Sequence, residues 1–216
     1  ESRQSNEREA MRKSVLTILF AASFSAAFGE NWPGWRGPGS LGVSTEGGIQ
    51  TQWESPRNFK WKVSVPGLGH SSPIVWGDRV FVSTAVGSDP SAGIRTGLYG
   101  DVEPAKDDSK HTWKLVALDA RTGKVLWERV AHEGIPQTRR HPKSSQATAT
   151  PVTDGRRVIV SFGSEGLYAY DFAGKLLWKR DLGVLNAGWF YDPDYEWGIG
   201  SSPIVYQNAL ILACYH

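Results

Sequence analysis

The sequence predicts an all-β fold, a partial β-propeller built from four-stranded antiparallel blades. The 216 residues include 24 glycines and 10 tryptophans, a composition typical of repeated small sheets joined by tight turns. One hairpin pattern occurs three times along the chain, and a second pattern ending in tryptophan occurs twice. Because a small sheet cannot bury both of its own faces, such units are expected to stack side by side around an axis.

The first pattern is a strand opened by proline, followed by a polar turn and a second apolar strand. In each copy an apolar residue stands seven positions after the proline, and the turn residues are those of β-hairpins. Proline suits the start of a strand because its missing N–H costs least there. The three copies cover residues 71–82, 149–160 and 201–212.

The second pattern is an apolar strand that ends in aspartate, turns at glycine and returns with a tryptophan four residues after that glycine. Its copies end at Trp127 and Trp178. The two patterns together supply four strands, and they repeat at about 50 residues, a blade period. We expect both tryptophans to cover the gap between neighbouring blades. Residues 59–65 fit another outer strand, with Trp61 in the same role, which would close the ring's last blade.

The first 58 residues are expected to precede the blades. Residues 11–29 have the features of a signal peptide: a basic start, an apolar run and small residues at its end. The apolar run is about 14 residues long, shorter than the roughly 20 of a membrane span. Residues 1–10 are interpreted as upstream read-through, and residues 30–58 as an N-terminal loop segment. We therefore expect an exported protein, periplasmic or secreted, with no transmembrane segment.

Residues 59–216 are expected to form the propeller portion, with about two blades, the closing strand and the start of a third blade. A ring has about six to eight blades, so the chain is interpreted as a fragment truncated at its C-terminus. The formal net charge of +2 does not favour a nucleic-acid partner. One cysteine, Cys214, excludes an internal disulfide. No zinc pattern, phosphate loop or nucleophile elbow occurs, so no catalytic residue and no metal site are predicted.

Three long connections are predicted to crowd one rim of the ring. They are an insertion at 86–111 between the second and third strands of the first blade, and the loops 131–147 and 183–199 between blades. In an antiparallel four-stranded blade, both kinds of connection leave from the same end. Because long loops on a rigid scaffold commonly carry binding sites, this rim is where a site is expected.

Two residue clusters in these loops are candidate ligand-binding sites. The basic one could hold an anionic ligand or partner, since guanidinium groups suit carboxylates and phosphates, or it is a solvated loop. The aromatic and acidic one could stack a sugar or quinone or ligate a cation, or it is the packing of a long loop. The basic cluster comprises His132, Arg139, Arg140, His141 and Lys143, and the second comprises Trp189, Asp192, Asp194 and Glu196.

The strings Asp119–Trp127 and Asp171–Trp178 resemble the quinoprotein-type, or PQQ-like, β-propeller repeat. That repeat is shared by PQQ-dependent alcohol dehydrogenases and by the propeller-type lipoprotein of outer-membrane assembly. The opening Trp32–Pro38 and the turn Gly163–Tyr168 more narrowly resemble uncharacterised exported bacterial members. For the enzymes, the resemblance implies PQQ with calcium, adjacent half-cystines stacked on the quinone, a Glu/Asn/Asp calcium set and a base Asp. This sequence has no adjacent cysteine pair.

Two functions follow from these features. The first is a binding or assembly platform that takes a protein, a small molecule or a glycan on the loop-rich face. The alternative is a PQQ- and calcium-dependent quinoprotein dehydrogenase, or another propeller-based enzyme. The sequence does not favour an enzyme, because the residues that would hold PQQ and calcium cannot be assigned in it.

Overall fold

The computed structural model describes residues 29–53, 58–89, 93–95, 97, 103–187 and 195–214, and confirms the predicted fold class. Two four-stranded antiparallel sheets follow one another along the chain, and a two-stranded hairpin comes after them. Within each sheet the strands pair in chain order, as in the blades of a β-propeller. In the portion of the chain that the structure describes, no helix has the length and apolarity to cross a bilayer. The predicted leader lies outside that portion, apart from Gly29.

The first blade contains the longest strands among the described residues. Its four strands are β1 (Ile74–Trp76), β2 (Arg79–Gly87), β3 (His111–Asp119) and β4 (Val125–Gly134). Strand β3 lies between β2 and β4 and pairs with both in antiparallel ladders, and the register shifts only within the β3–β4 pair. Proline precedes β1 and a two-residue turn follows it, as predicted from the first pattern.

The second blade repeats this order with shorter strands, and a third hairpin follows it. The second blade comprises β5 (Val152–Thr153), β6 (Arg157–Ser161), β7 (Leu167–Asp171) and β8 (Leu176–Arg180). The hairpin comprises β9 (Ile204–Tyr206) and β10 (Ala209–Ile211). Strand β9 lies against β5, so the inner strands of successive units are neighbours.

The main core lies between the blades. Apolar side chains of the first blade form one buried cluster with those of the second blade, because each sheet turns an apolar face to the next. A second cluster joins the other face of the second blade to the third hairpin. Representative members of the first cluster are Ile74, Phe81, Trp113, Val158, Val160 and Tyr170.

A tryptophan of the first blade is hydrogen-bonded to a turn of the second. The Nε1 of Trp127 donates to the carbonyl oxygen of Phe172 over 2.9 Å. The ring lies so close to Gly174 that a Cβ on this glycine would stand 2.9 Å from Trp127 Cδ2. Gly174 also has a φ of +83°, a conformation that L side chains rarely adopt. In this arrangement, an indole of one blade packs on the glycine turn between the third and fourth strands of the next blade. We call it the Trp–Gly joint.

The same joint attaches the N-terminal part of the chain to the first blade. The Nε1 of Trp61 donates to the carbonyl oxygen of Ala120 over 3.0 Å, and a Cβ on Gly123 would stand 2.6 Å from the Trp61 ring. Trp178 is half-buried against the cluster shared by the second blade and the third hairpin. No described strand pairs with residues 59–65, so their role as the closing strand of a last blade stays a prediction. Its side chains nevertheless pack on the first blade.

Residues 31–33 lie along the inner edge of the first two blades. Trp32 and Val75 exchange two backbone hydrogen bonds of 2.8 and 2.9 Å, so the segment pairs briefly with β1. The carbonyl oxygen of Pro33 accepts the N–H of Thr153 in β5 over 2.8 Å. The N-terminal segment therefore satisfies backbone groups that face the axis of the propeller.

Candidate functional site

The long loops meet at one end of the blades, and we call the surface they form the rim. Two backbone N–H groups of the insertion between β2 and β3, those of Arg95 and Ala105, donate to the loop that follows β4. The acceptors are the carbonyl oxygens of Pro142 and Arg140, each 2.9 Å away. These bonds join two connections that are far apart in sequence, and they fix one against the other.

A buried carboxylate joins the same two loops through their side chains. Asp107 Oδ2 lies 2.5 Å from Arg140 Nε, and Asp107 Oδ1 lies 3.1 Å from His111 Nε2. The three side chains are at most 5% exposed. Arg140 also donates from Nη1 to the carbonyl oxygen of Ser144 over 2.8 Å. Arg140, predicted as a ligand-binding residue, is thus placed inside the rim with its charge balanced by Asp107.

The protonation of Asp107 and His111 is coupled through this contact. Burial by itself disfavours the charged ring of His111, but hydrogen bonds to Asp107 and to the carbonyl oxygen of Ser109 outweigh it and raise the pKa of His111. Burial likewise opposes ionisation of Asp107, yet hydrogen bonds from His111 and Arg140 lower the pKa of Asp107. Both ring nitrogens of His111 face acceptors, so the cationic ring is the form that this site holds.

We expect the stabilising contribution of His111 to depend on pH. Its pKa is raised on folding, so the contribution is complete below the ordinary value of 6.5 and is lost as the pH rises through the raised folded value. The free energy of unfolding of the intact protein and of a His111→Gln variant should therefore differ more at about pH 5.5 than at about pH 9. Urea titrations at both pH values measure this difference. A larger difference at the alkaline pH would contradict the assignment.

The side chain of Trp113, in β3, connects the first blade to the loop that follows β4. It is fully buried, and its Nε1 donates to the carbonyl oxygen of Gln146 over 3.0 Å. Its ring contacts two histidine rings, with centroids 5.5 Å from His111 and 5.3 Å from His132. His132, predicted as a ligand-binding residue, is half-buried beside the Trp113 ring. The loop after β4 is thus hydrogen-bonded to Trp113 of β3 as well as to the insertion between β2 and β3.

The remaining members of the basic cluster lie nearer the surface. Arg139 and Lys143 are exposed, and His141 is half-buried. The backbone N–H of Lys143 donates to His141 Nδ1 over 3.0 Å, which places the hydrogen of the neutral ring on Nε2. Burial and the nearby charge of Lys143 lower the pKa of His141. His141 is therefore mostly uncharged at neutral pH.

The structure brings the aromatic loop against the basic cluster. The rings of His141 and Trp197 lie with centroids 5.3 Å apart, and the N–H of Gly198 donates to the carbonyl oxygen of Arg139 over 2.9 Å. Glu196 is half-buried beside them. Of the predicted second cluster, Trp189, Asp192 and Asp194 lie outside the described residues.

Sequence reasoning missed Asp107 and Glu165, which are buried carboxylates among the residues that the structure describes in this region. Glu165 is 6% exposed and accepts the N–H of Gln137 over 2.8 Å, and burial raises the pKa of Glu165. Each stands in a stretch with the composition of a loop, so nothing in the sequence marks it as buried. The insertion length was the only available signal for Asp107.

The described residues do not fit the PQQ and calcium set of the enzymes with this repeat. Within the described ranges, no group of three or more His, Cys, Asp or Glu is placed to hold a metal ion. A cavity of about 1010 Å³ lies between residues 33–40, β5 and β9, and none of its described lining residues is a carboxylate. The sole cysteine, Cys214, is exposed and has no adjacent cysteine.

A model of the family described as outer membrane protein assembly factor BamB matches residues 39–188. The chain belongs to this family. A polyvinylalcohol dehydrogenase from a Pseudomonas species is 26% identical over 184 residues, covering 69% of this chain. The chain spans only 29% of that relative. The crystal structure of BamB from Moraxella catarrhalis is 20% identical with a TM-score of 0.24, and the match covers 72% of this chain and 58% of that one.

Proposed function

We propose that this chain is part of an exported, periplasmic or secreted β-propeller that acts as a binding or assembly platform and engages a protein partner through the rim. The observation that carries the proposal is the Asp107–Arg140–His111 contact. It holds an insertion and an inter-blade loop in one arrangement inside a rigid scaffold. A surface ordered in advance loses less conformational entropy when a partner binds, which favours affinity. Membership of the family named for outer-membrane protein assembly supports the same function.

The exposed groups of the rim suit a partner with both apolar and acidic surface. Ile135, directly after β4, is 63% exposed. Arg139 and Lys143 are exposed nearby in the same loop. Basic side chains around an apolar contact speed association with an acidic partner and set its orientation.

Site-specific photo-crosslinking tests the platform. A photoreactive amino acid is placed at Ile135 in the intact protein, and a matched one at Lys124, in the β3–β4 turn at the other end of the blade. We expect one defined crosslinked protein from position 135 in the cell envelope, and none from position 124. The double variant Arg139→Glu/Lys143→Glu should lower the crosslinked yield severalfold. Equal, diffuse crosslinking from both positions would contradict the proposal.

The alternative, a quinoprotein dehydrogenase, is favoured by the similarity to polyvinylalcohol dehydrogenase. The test is titration of the intact protein with PQQ and calcium, followed by dye-linked oxidation of alcohols. If the protein is a platform, we expect no oxidation of alcohols. Saturable binding of PQQ together with alcohol oxidation would support the enzyme and contradict the platform.

A further inference from the structure

The outer strands of the two blades each contain a β-bulge at the same position. In β4, Leu126 stands between two paired residues and has no partner on β3. In β8, Leu177 has no partner on β7 in the same way. A bulge interrupts the alternation of side chains between the two faces and bends the strand. Each outer strand therefore holds one leucine outside the ladder, directly before the tryptophan of its blade.

Each bulge belongs to an exposed run of one lysine and two aliphatic residues. The runs are Lys124–Leu126 and Lys175–Leu177, and both directly follow a glycine turn. Their four aliphatic side chains are 44–47% exposed. Single exposed apolar residues need no explanation, whereas neighbouring ones mark a contact surface. The exposure also occurs at the same positions in both blades, so it is a feature of the repeat.

This exposure does not result from an absent neighbouring blade. Leu176 pairs with Tyr170, whose side chain belongs to the cluster between the two blades. Because paired residues of an antiparallel ladder share a face, Leu176 lies on the face turned to the first blade. It is 45% exposed although that blade is present, and Val125 at the corresponding position is 47% exposed. These side chains therefore lie on the outer wall, where the outer strands of successive blades diverge.

The Trp–Gly joint brings the two exposed runs together. Leu126 directly precedes Trp127, and Lys175 directly follows Gly174. Since the Trp127 ring lies against Gly174, the two runs adjoin the same contact from either side. We call the surface that they form the joint patch. It comprises residues 124–126 and 175–177.

The acidic residues beside the joint patch already have partners. Asp119 and Asp171 each accept two backbone N–H groups of the turns that they begin. Glu128 is paired with Lys114 over 2.8 Å. The two lysines of the joint patch are exposed. The charge that the joint patch presents beside its aliphatic side chains is therefore positive.

This composition favours a lipid surface over a protein surface. Protein interfaces are enriched in aromatic residues and arginine and depleted in lysine. The joint patch has neither aromatic residues nor arginine, and both of its charged residues are lysines. Lysines attract a surface of anionic lipids, and exposed aliphatic side chains beside them can enter the headgroup region. The charge and the apolarity of the joint patch thus complement an anionic bilayer.

We propose that the joint patch is a peripheral membrane contact that binds the anionic phospholipid surface of a bilayer. Both runs follow the turn between the third and fourth strands, so they stand at the same height along the propeller axis. That end of the blades is opposite the rim, and the contact leaves the rim directed away from the bilayer. The proposal rests on the proposed function only in placing the protein in the cell envelope.

Flotation of the intact protein with phospholipid vesicles tests the contact. We expect binding to vesicles of about 30% phosphatidylglycerol in phosphatidylcholine to be at least about tenfold stronger than to phosphatidylcholine alone, since each lysine near an anionic surface contributes about fivefold. Binding to the anionic vesicles should weaken severalfold between about 50 and about 500 mM salt, because salt screens the charges. Equal binding to both kinds of vesicle, or binding to neither, would overturn the proposal.

Two double variants locate the contact. Leu126→Ser/Leu177→Ser removes the two bulged aliphatic side chains, and Lys124→Gln/Lys175→Gln removes the two charges. Each should lower binding to the anionic vesicles about tenfold or more. The lysine variant decides the matter if the leucine variant does not fold.

Each variant has a matched control outside the joint patch. Leu41→Ser/Ile135→Ser removes two aliphatic side chains that are 70% and 63% exposed. Lys110→Gln/Lys143→Gln removes two exposed lysines at the rim end of the first blade. Both controls should bind the anionic vesicles as the parent does. A leucine or lysine variant that binds as tightly as its control would refute the site.

Photo-crosslinking separates this contact from a protein partner and from the platform. A photoreactive amino acid at Lys124 should yield crosslinked lipid, and one defined crosslinked protein from this position would overturn the lipid proposal. Absence of vesicle binding, with the crosslink from Ile135 retained, would refute the membrane contact alone. Loss of the crosslink from Ile135, with vesicle binding intact, would refute the platform alone.

Discussion

Replacement of Asp107 by alanine is expected to lower the free energy of unfolding of the intact protein by about 3–5 kcal/mol, because a buried charge loses its partner. Arg140, whose side chain is 3% exposed, would lose its ion pair with Asp107, and His111 would lose the acceptor of its Nε2 hydrogen. Urea unfolding followed by circular dichroism measures the effect. Crosslinking from Ile135 should fall in parallel, since the rim would lose the contact that orders it.

The matched control for Asp107→Ala is Glu128→Ala. Glu128 also pairs with a cation, at 2.8 Å from Lys114 Nζ, but its side chain is 40% exposed. Exposed ion pairs contribute about 0–1 kcal/mol, so this variant should be close to the parent in stability. Equal effects of the two variants would show that Asp107 is solvated and that the rim is not held by it.

Replacement of Trp113 by alanine is expected to cost about 3–5 kcal/mol, the range for deletion of a buried aromatic side chain. The variant removes a fully buried ring and leaves the carbonyl oxygen of Gln146 without its donor. It also opens space between His111 and His132. Thermal and chemical unfolding of the intact protein measure the loss.

Two further tryptophan variants serve as controls for Trp113→Ala. Trp113→Phe keeps much of the packing and should cost less than Trp113→Ala, because it loses mainly one hydrogen bond and part of the ring. Trp53→Ala, at a side chain that is 64% exposed, should change stability by about 0.5 kcal/mol or less. A Trp113→Ala variant as stable as Trp53→Ala would contradict the buried position.

The blades could be predicted from the sequence because their signals are local and repeated. The prolines before β1 and β9, the turns after them and the tryptophan four residues after each glycine all act within a few residues of one another. Burial alternates along β3 only from His111 to Leu115, whereas the residues from Leu115 to Leu118 are buried on both faces of the sheet. The closing strand predicted at 59–65 stays a prediction, because a strand needs a partner and none of the described residues pairs with this segment.

The interior of the rim could not be predicted, for a physical reason. Strand parity indicates which loops leave from the same end, but not which of their charges are desolvated. Arg139 and Arg140 are adjacent and chemically identical, yet one is exposed and the other is buried against Asp107. That difference is decided by a carboxylate 33 positions away in the chain, and no local pattern records it.

The Trp–Gly joint has a consequence for how such proteins change over time. Trp61 and Trp127 are hydrogen-bonded to successive turns in the same way, so the first blade receives one indole at its turn and supplies another to the second blade. The segment from Trp61 to Trp127 contains both the turn that receives one indole and the indole that contacts the next turn, so a duplication of it would copy both halves of the joint together. A duplication of half of that segment would instead separate an indole from the glycine turn that matches it.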